Sequence, residues 1–109
     1  MKIEIDDRSG VSVVRLDGEM QGGAELTEKV HAILDKPAPK IVLDLGALSY
    51  LNSAALGTLV ATTARANTQG GRVIFANPTP FVSGILEATR LNSFFEMSDS
   101  VDEALARFS

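Results

Sequence analysis

The sequence has no cysteine and only one histidine among its 109 residues. The absence of cysteine excludes disulfides, thiolate metal ligands and a cysteine nucleophile. No apolar run approaches the roughly 18 residues that a membrane-spanning helix needs, so we expect no direct insertion into a membrane. Neither G-x-G-x-x-G nor G-x-x-x-x-G-K occurs, which removes the two common glycine-rich phosphate loops. These absences argue against an enzyme or a nucleotide-binding domain, and we expect no cofactor and no metal ion.

Acidic residues outnumber basic residues. The chain has 14 Asp and Glu against 10 Lys and Arg, for a formal net charge of −4. This sign argues against nucleic acid as the main partner. The first residues, MKIEIDDRSG, alternate charged and apolar side chains, which is typical of a strand and not of a signal peptide. We therefore expect a soluble cytoplasmic domain, and such a short chain can still serve a membrane-bound complex.

The first half of the chain predicts a hairpin, a helix and a buried strand. Ile3 and Ile5 alternate with charged residues, and a second apolar run closes at Asp17-Gly18, so the two strands are expected to pair antiparallel. The apolar period then becomes helical. The predicted apolar face of this helix is Leu26, Val30, Ile33 and Leu34. The dense aliphatic run KIVLDL from Lys40 is typical of a central buried strand.

Beyond Ser53, three more helices alternate with two strands, namely RVIFAN and a short edge strand at 94–97. Thr79 and Pro80 predict the cap and the first residue of the second of these helices. Ser100 and Glu103 predict a capping box for the last helix. The predicted apolar stripe of the helix after Ser53 is Leu56, Leu59, Val60, Thr63 and Ala64. The predicted apolar side of the helix after Thr79 is Phe81, Val82, Ile85 and Leu86.

The element order is therefore β-β-α-β-α-β-α-β-α. Strands that alternate with helices predict a largely parallel sheet with right-handed crossovers. The predicted fold is a single α/β domain over residues 1–109. It has a mostly parallel central sheet, an antiparallel N-terminal hairpin and about four helices.

The candidate functional segment is DLGALSYLNSAALGTL, which begins at Asp44. A buried strand ends here, a short loop is expected, and a helix begins at the pair Asn52-Ser53. Loops at the carboxyl ends of parallel strands are the usual place for sites in α/β sheets. Ser53 is either only an N-cap or also a phosphorylation site, because a phosphate there would meet the positive end of the helix dipole. His31 lies on an amphipathic helix and is expected to be a surface or half-buried residue.

The whole chain resembles a STAS domain, the fold of bacterial anti-sigma-factor antagonists. The family pattern D-L-x-x-L-x-[FY]-[ILM]-D-S-[SA]-G-L-G is matched by DLGALSYLNSAALG from Asp44. The segments LDGEM, RLNSFFEM and SVDEALARF resemble further family motifs in the same order. Three positions depart from the pattern: Asn52 and Gln21 replace acidic residues, and Ala55 replaces a glycine.

The resemblance implies that Ser53 is the residue phosphorylated by a partner that is both anti-sigma factor and serine protein kinase. This partner supplies the ATP, so the chain itself is a substrate and not an enzyme. A phosphatase is a further implied partner, and the oligomeric state stays open. The expected partner-binding residues are Glu19, Gln21, Tyr50, Asn52, Ala54, Ala55 and Gly57.

Two other classes of function remain open at this point. One is a STAS subunit of a membrane-associated complex, such as a lipid transporter, in which the domain binds an ATPase subunit. The weaker one is an enzyme or nucleotide-binding domain, against which the missing phosphate loop and the missing Ser–His–Asp spacing argue.

Overall fold

Strands and helices alternate in the order that the apolar periodicities predict. A computed structural model describes residues 1–109. The five strands are β1 (Lys2–Arg8), β2 (Val11–Met20), β3 (Lys40–Leu51), β4 (Arg72–Ala76) and β5 (Glu96–Ser98). The four helices are α1 (Ala24–Leu34), α2 (Ser53–Thr68), α3 (Pro80–Ala88) and α4 (Val101–Ala106).

The strands form one sheet in the order β1-β2-β3-β4-β5. β1 and β2 pair antiparallel, and every other neighbouring pair is parallel, which confirms the predicted fold class. Because α1, α2 and α3 each connect neighbouring parallel strands by the same right-handed crossover, they share one face of the sheet. A cluster of 19 buried residues fills that side. α4 packs on the other face, against a cluster of six buried residues that includes Val13, Val42 and Ile74.

β2 and β3 are both longer than the sequence predicts. β2 continues past Gly18 to Met20, and β3 runs through Tyr50 to Leu51, so Tyr50 and Leu51 belong to a strand and not to the expected loop. The two strands support each other, because Glu19 pairs with Tyr50 and Met20 with Leu51 after two shifts of register. Gly18 lies at such a shift with φ of 105°, a left-handed value that favours glycine.

The apolar face of α2 differs from the predicted stripe. Leu59 and Thr63 are buried as expected, but Leu56 and Val60 are half-buried and Ala64 is exposed. The buried residues are Ala55, Leu59, Thr62, Thr63 and Ala66. Small residues let the helix approach the sheet closely. The buried threonine hydroxyls are satisfied because each donates to the carbonyl one turn back, at 2.8 and 3.0 Å.

Three aromatic or aliphatic side chains also lie elsewhere than the pattern predicts. Phe81 is exposed, because only Val82 and Leu86 of α3 are fully buried. Ile5 is exposed as well, because β1 is an edge strand. β5 begins two residues later than expected, since Phe95 leaves the strand pattern to stack on Phe75 with ring centroids 4.2 Å apart.

Several local predictions are confirmed. The Thr79 side chain caps α3, and Pro80 is the first helical residue. The Ser100 hydroxyl accepts from the backbone N–H of Glu103 at 3.0 Å and so caps α4. The second bond of the predicted capping box does not form, because the Ser100 N–H donates to the Ser98 hydroxyl at 3.4 Å and Glu103 accepts from Arg107 instead. His31 is an exposed helix residue whose Nε2 lies 3.2 Å from an oxygen of Asp35.

No helix has the length and apolarity needed to cross a bilayer.

Candidate functional site

The site is built where β3 ends and α2 begins, at the carboxyl edge of the parallel strands. The backbone N–H of Asn52 donates to the carbonyl of Met20, 3.2 Å away on β2. Asn52 itself is extended, with φ of −99° and ψ of 179°, and the chain turns helical at Ser53. The strand pairing therefore decides at which residue the helix starts.

Asn52, and not Ser53, is the N-cap of α2. Its side-chain Oδ1 accepts from the backbone N–H of Ala55 at 2.9 Å, which is the usual bond of an N-cap residue. The prediction that Ser53 caps the helix is thus wrong by one residue. The cause is the longer β3, which keeps Asn52 extended and leaves Ser53 as the first helical residue.

The hydroxyl of Ser53 is exposed and has no hydrogen-bond partner in the protein. The helical ladder begins with Leu56, whose N–H donates to the Asn52 carbonyl at 3.0 Å. Of the free N–H groups in the first turn of α2, only that of Ala55 donates to the Asn52 side chain. The N–H groups of Ser53 and Ala54 therefore remain free to donate. No acidic residue lies in the first turn of α2. A negative charge on the Ser53 oxygen would meet free donors and the positive end of the helix dipole.

The loop between β2 and α1 is fastened to the start of α2 through Gly22. The Gly22 N–H donates to Oδ1 of Asn52 at 3.1 Å, and its carbonyl accepts from the Thr58 hydroxyl at 2.6 Å. The next residue, Gly23, has φ of 109°, and a Cβ there would lie 2.8 Å from Thr58 Cβ. The loop can approach α2 this closely only because a glycine stands at position 23.

The hydrogen bonds of Gly22 to Asn52 and Thr58 place the predicted loop residues beside the start of α2. Glu19 and Gln21 line a shallow depression together with Glu25 on the α1 side of α2. The side-chain Nε2 of Gln21 donates to Oε1 of Glu19 at 3.5 Å. The rim of the site on this side is therefore acidic and polar.

The structure brings six of the seven predicted contact residues to the surface around Ser53. Asn52 is half-buried, and the exposed ones are Glu19, Gln21, Tyr50, Ala54 and Gly57. Ala55 is the exception, because it is fully buried against the core. Its side chain cannot contact a partner, and this expectation is corrected. Gly57 lies one turn beyond Ser53 on the same face of α2, and a Cβ added there would meet nothing within 4 Å.

Two parts of the site were missed from the sequence. Thr58 and Gly22 are 36 residues apart, and no local pattern pairs a helix threonine with a distant loop carbonyl. Phe81 was assigned to the core side of its helix, yet its ring lies 6.0 Å from the ring of Tyr50 at the surface. The four-residue spacing of Val82 and Leu86 could have indicated the exposure of Phe81, since it places Phe81 at the edge of the buried stripe.

An ion-pair network at the opposite end of the sheet shifts the pKa values of Arg72 and Glu96. A hydrogen bond from the Arg72 guanidinium, Nε to Oε1 at 2.7 Å, is the main reason that the pKa of Glu96 lies below its usual range. The same bond raises the pKa of Arg72. Arg107 also donates to Glu96 at 3.2 Å, so the network ties β4, β5 and α4 together. No group of His, Asp and Glu side chains is placed to hold a metal ion.

The sequence profile of the STAS domain matches residues 2–104. The chain belongs to the STAS domain family. BtrV of Bordetella bronchiseptica, provisionally assigned as an anti-sigma factor antagonist, is 27% identical over 110 residues, which cover 99% of this STAS domain and 95% of BtrV.

Solved structures agree with this assignment. The crystal structure of an anti-sigma factor antagonist from Mycobacterium paratuberculosis is similar with a TM-score of 0.85 and 28% identity, covering 97% of this chain and 92% of that one. The phosphorylated form of the Bacillus cell fate determinant SpoIIAA shares the fold with a TM-score of 0.76 and 20% identity, covering 99% and 100% of the two chains. The resemblance seen in the sequence motifs is thereby confirmed.

Proposed function

We propose that this STAS domain is an anti-sigma factor antagonist that is switched off by phosphorylation of Ser53. Unphosphorylated, it binds an anti-sigma factor that is also a serine kinase, and so frees a sigma factor. The observation that carries the proposal is that the side chain of Asn52, and not that of Ser53, caps α2. Asn52 caps the helix, which leaves the exposed Ser53 hydroxyl without a structural task. The names of BtrV and of the mycobacterial protein support the role.

The kinase supplies ATP and catalysis, and this chain supplies the acceptor. The Ser53 oxygen forms a bond to the γ-phosphorus, the bond from that phosphorus to the ADP oxygen breaks, and the hydroxyl proton passes to a base on the kinase. The SpoIIAA structure described as the phosphorylated form supports a modification of this kind in the family. A phosphatase would reverse it. In this proposal the chain acts in the cytoplasm, catalyses nothing itself, and needs no cofactor and no nucleic acid.

The phosphate acts on binding and not on folding. It adds about −1.5 to −2 charges at a position where the N–H groups of Ser53 and Ala54 and the dipole of α2 tolerate them. The partner surface around it is formed by Glu19 and Gln21 together with Tyr50, Asn52, Ala54 and Gly57. A charge that must be desolvated in this contact area weakens the complex.

Phosphopeptide mapping after incubation with the cognate kinase and ATP tests the acceptor. We expect phosphate on Ser53 and none on Ser49, Ser83 or Ser93. Ser49 is the instructive comparison, because it is also exposed but its hydroxyl already donates to the Gly18 carbonyl at 3.0 Å. Ser53→Ala should abolish incorporation. Phosphate found only at another serine would contradict the assignment.

A binding titration tests the switch. Ser53→Asp should weaken binding of the kinase while the melting temperature stays close to that of the wild type, since a carboxylate suits the first turn of a helix. Ser53→Ala should still bind and should resist inactivation by ATP. Wild-type affinity in Ser53→Asp would remove the mechanism. Capture of a transporter ATPase in place of a kinase in a pull-down would favour the transporter-subunit alternative.

A further inference from the structure

An apolar groove lies between the start of α2 and the start of α3, on the side of Ser53 away from the Gly22 loop. Its volume is about 330 Å³. The lining residues are Tyr50, Leu51, Asn52, Ser53, Leu56, Phe81, Ile85 and Thr89. None of them carries a formal charge at neutral pH. We call this feature the apolar groove.

Two aromatic side chains form the exposed wall of the apolar groove. Tyr50 is 39% exposed and Phe81 is 48% exposed, and their rings contact each other at a centroid distance of 6.0 Å with an angle of 32°. The half-buried side chains of Leu56 and Ile85 extend this wall toward the core. Single exposed apolar residues are ordinary, but a contiguous patch with polar residues at its rim marks an interaction surface.

We propose that the apolar groove receives an apolar side chain of the same kinase that phosphorylates Ser53, an inference that rests on the proposed function. The argument is continuity, because Ser53 itself is one wall of the groove. A kinase that places its active site over the Ser53 hydroxyl must also cover the space beside it. Aromatic side chains in such positions dominate binding energies in protein interfaces.

Charge on the two sides of Ser53 specifies the chemistry of the partner. The groove side is uncharged, whereas the loop side presents Glu19 and Glu25. The matching surface therefore carries a leucine, methionine or aromatic residue on one side of the kinase active site and basic residues on the other. This arrangement also explains how phosphorylation releases the partner, since a phosphate on Ser53 places a charge on the rim of a groove that must be dry when occupied.

Phe81→Ser tests the groove, with Phe94→Ser as a matched control. Phe94 is 50% exposed and does not line the groove, so both variants remove a phenylalanine of nearly equal exposure. The probe is the purified kinase that modifies Ser53. We expect Phe81→Ser to raise its Kd by about tenfold or more and Phe94→Ser to change it less than about twofold. Phe81→Leu should retain most of the affinity.

Phosphorylation kinetics separate this inference from the proposed function. Phe81 lies outside the reacting atoms, so Phe81→Ser should raise KM for phosphorylation of Ser53 and leave kcat nearly unchanged. Equal affinity and equal KM for Phe81→Ser and Phe94→Ser, with Ser53 still phosphorylated, would overturn the groove and leave the proposed function standing. A wild-type protein that no kinase binds or modifies would overturn both.

Discussion

Replacing Asn52 and Ser53 one at a time should separate the helix cap from the proposed phosphorylation site. The sequence alone predicts that Ser53→Ala removes the cap. In the structure the Ser53 hydroxyl has no partner, whereas Oδ1 of Asn52 accepts from Ala55 at 2.9 Å and from Gly22 at 3.1 Å. The destabilising substitution should therefore be Asn52→Ala.

The expected loss of stability in Asn52→Ala follows from the two hydrogen bonds that Oδ1 of Asn52 accepts. Loss of an N-cap costs about 1 kcal/mol, and loss of one further hydrogen bond to a half-buried N–H costs roughly 0.5–1.5 kcal/mol. Asn52→Ala should thus lower the free energy of unfolding by about 2 kcal/mol. Ser53→Ala should change it by less than about 0.5 kcal/mol, as for most exposed positions. Asn52→Asp keeps the acceptor oxygen and should also stay within about 0.5 kcal/mol.

Urea unfolding followed by circular dichroism measures these differences. With an m-value near 2 kcal/mol/M, Asn52→Ala should lower the midpoint by about 1 M. The m-value should be unchanged in all three variants, because the surface exposed on unfolding is nearly the same. A larger loss of stability in Ser53→Ala than in Asn52→Ala would refute the assignment of the cap.

Three further changes probe the core, the ion pairs and the contact face. Leu59→Ala should lower the free energy of unfolding, measured in urea, by roughly 2–5 kcal/mol, because Leu59 is fully buried. Leu56→Ala should lower it distinctly less, because Leu56 is half-buried. Equal losses in the two variants would contradict the observed buried face of α2. Glu96→Gln should be less stable than wild type at neutral pH. Since the folded-state pKa of Glu96 is lowered, its contribution is present above the unfolded pKa of about 4.3 and disappears as the pH falls through the lower folded value. The two stability curves should therefore converge in acid, and a constant gap down to pH 2 would contradict the pairing. Gly57→Ala should raise stability by about 0.5–1 kcal/mol yet weaken kinase binding. Gly84→Ala, at a helix position equally open to a Cβ, controls for the stability gain. Equal effects of both variants on binding would argue against Gly57 as a contact.

Local patterns in the sequence determine the elements of this STAS domain and their order. Alternation of apolar residues predicts strands and a 3.6-residue period predicts helices, because both depend only on near neighbours in the chain. For the same reason Thr79 and Pro80 predict the start of α3 correctly. The motif around Ser53 also identifies the family, and the topology follows from short connections and right-handed crossovers.

Tertiary structure decided the details on which the site depends. The pairing of Met20 with Leu51 extends β3 and thereby makes Asn52 the cap. The close approach of the Gly22 loop needs a threonine 36 residues away. The apolar groove exists because Tyr50 at the end of one strand and Phe81 at the start of a later helix meet at one edge of the sheet. Each of these features is a contact between residues distant in sequence, and such contacts depend on strand register and helix packing, which no local pattern encodes.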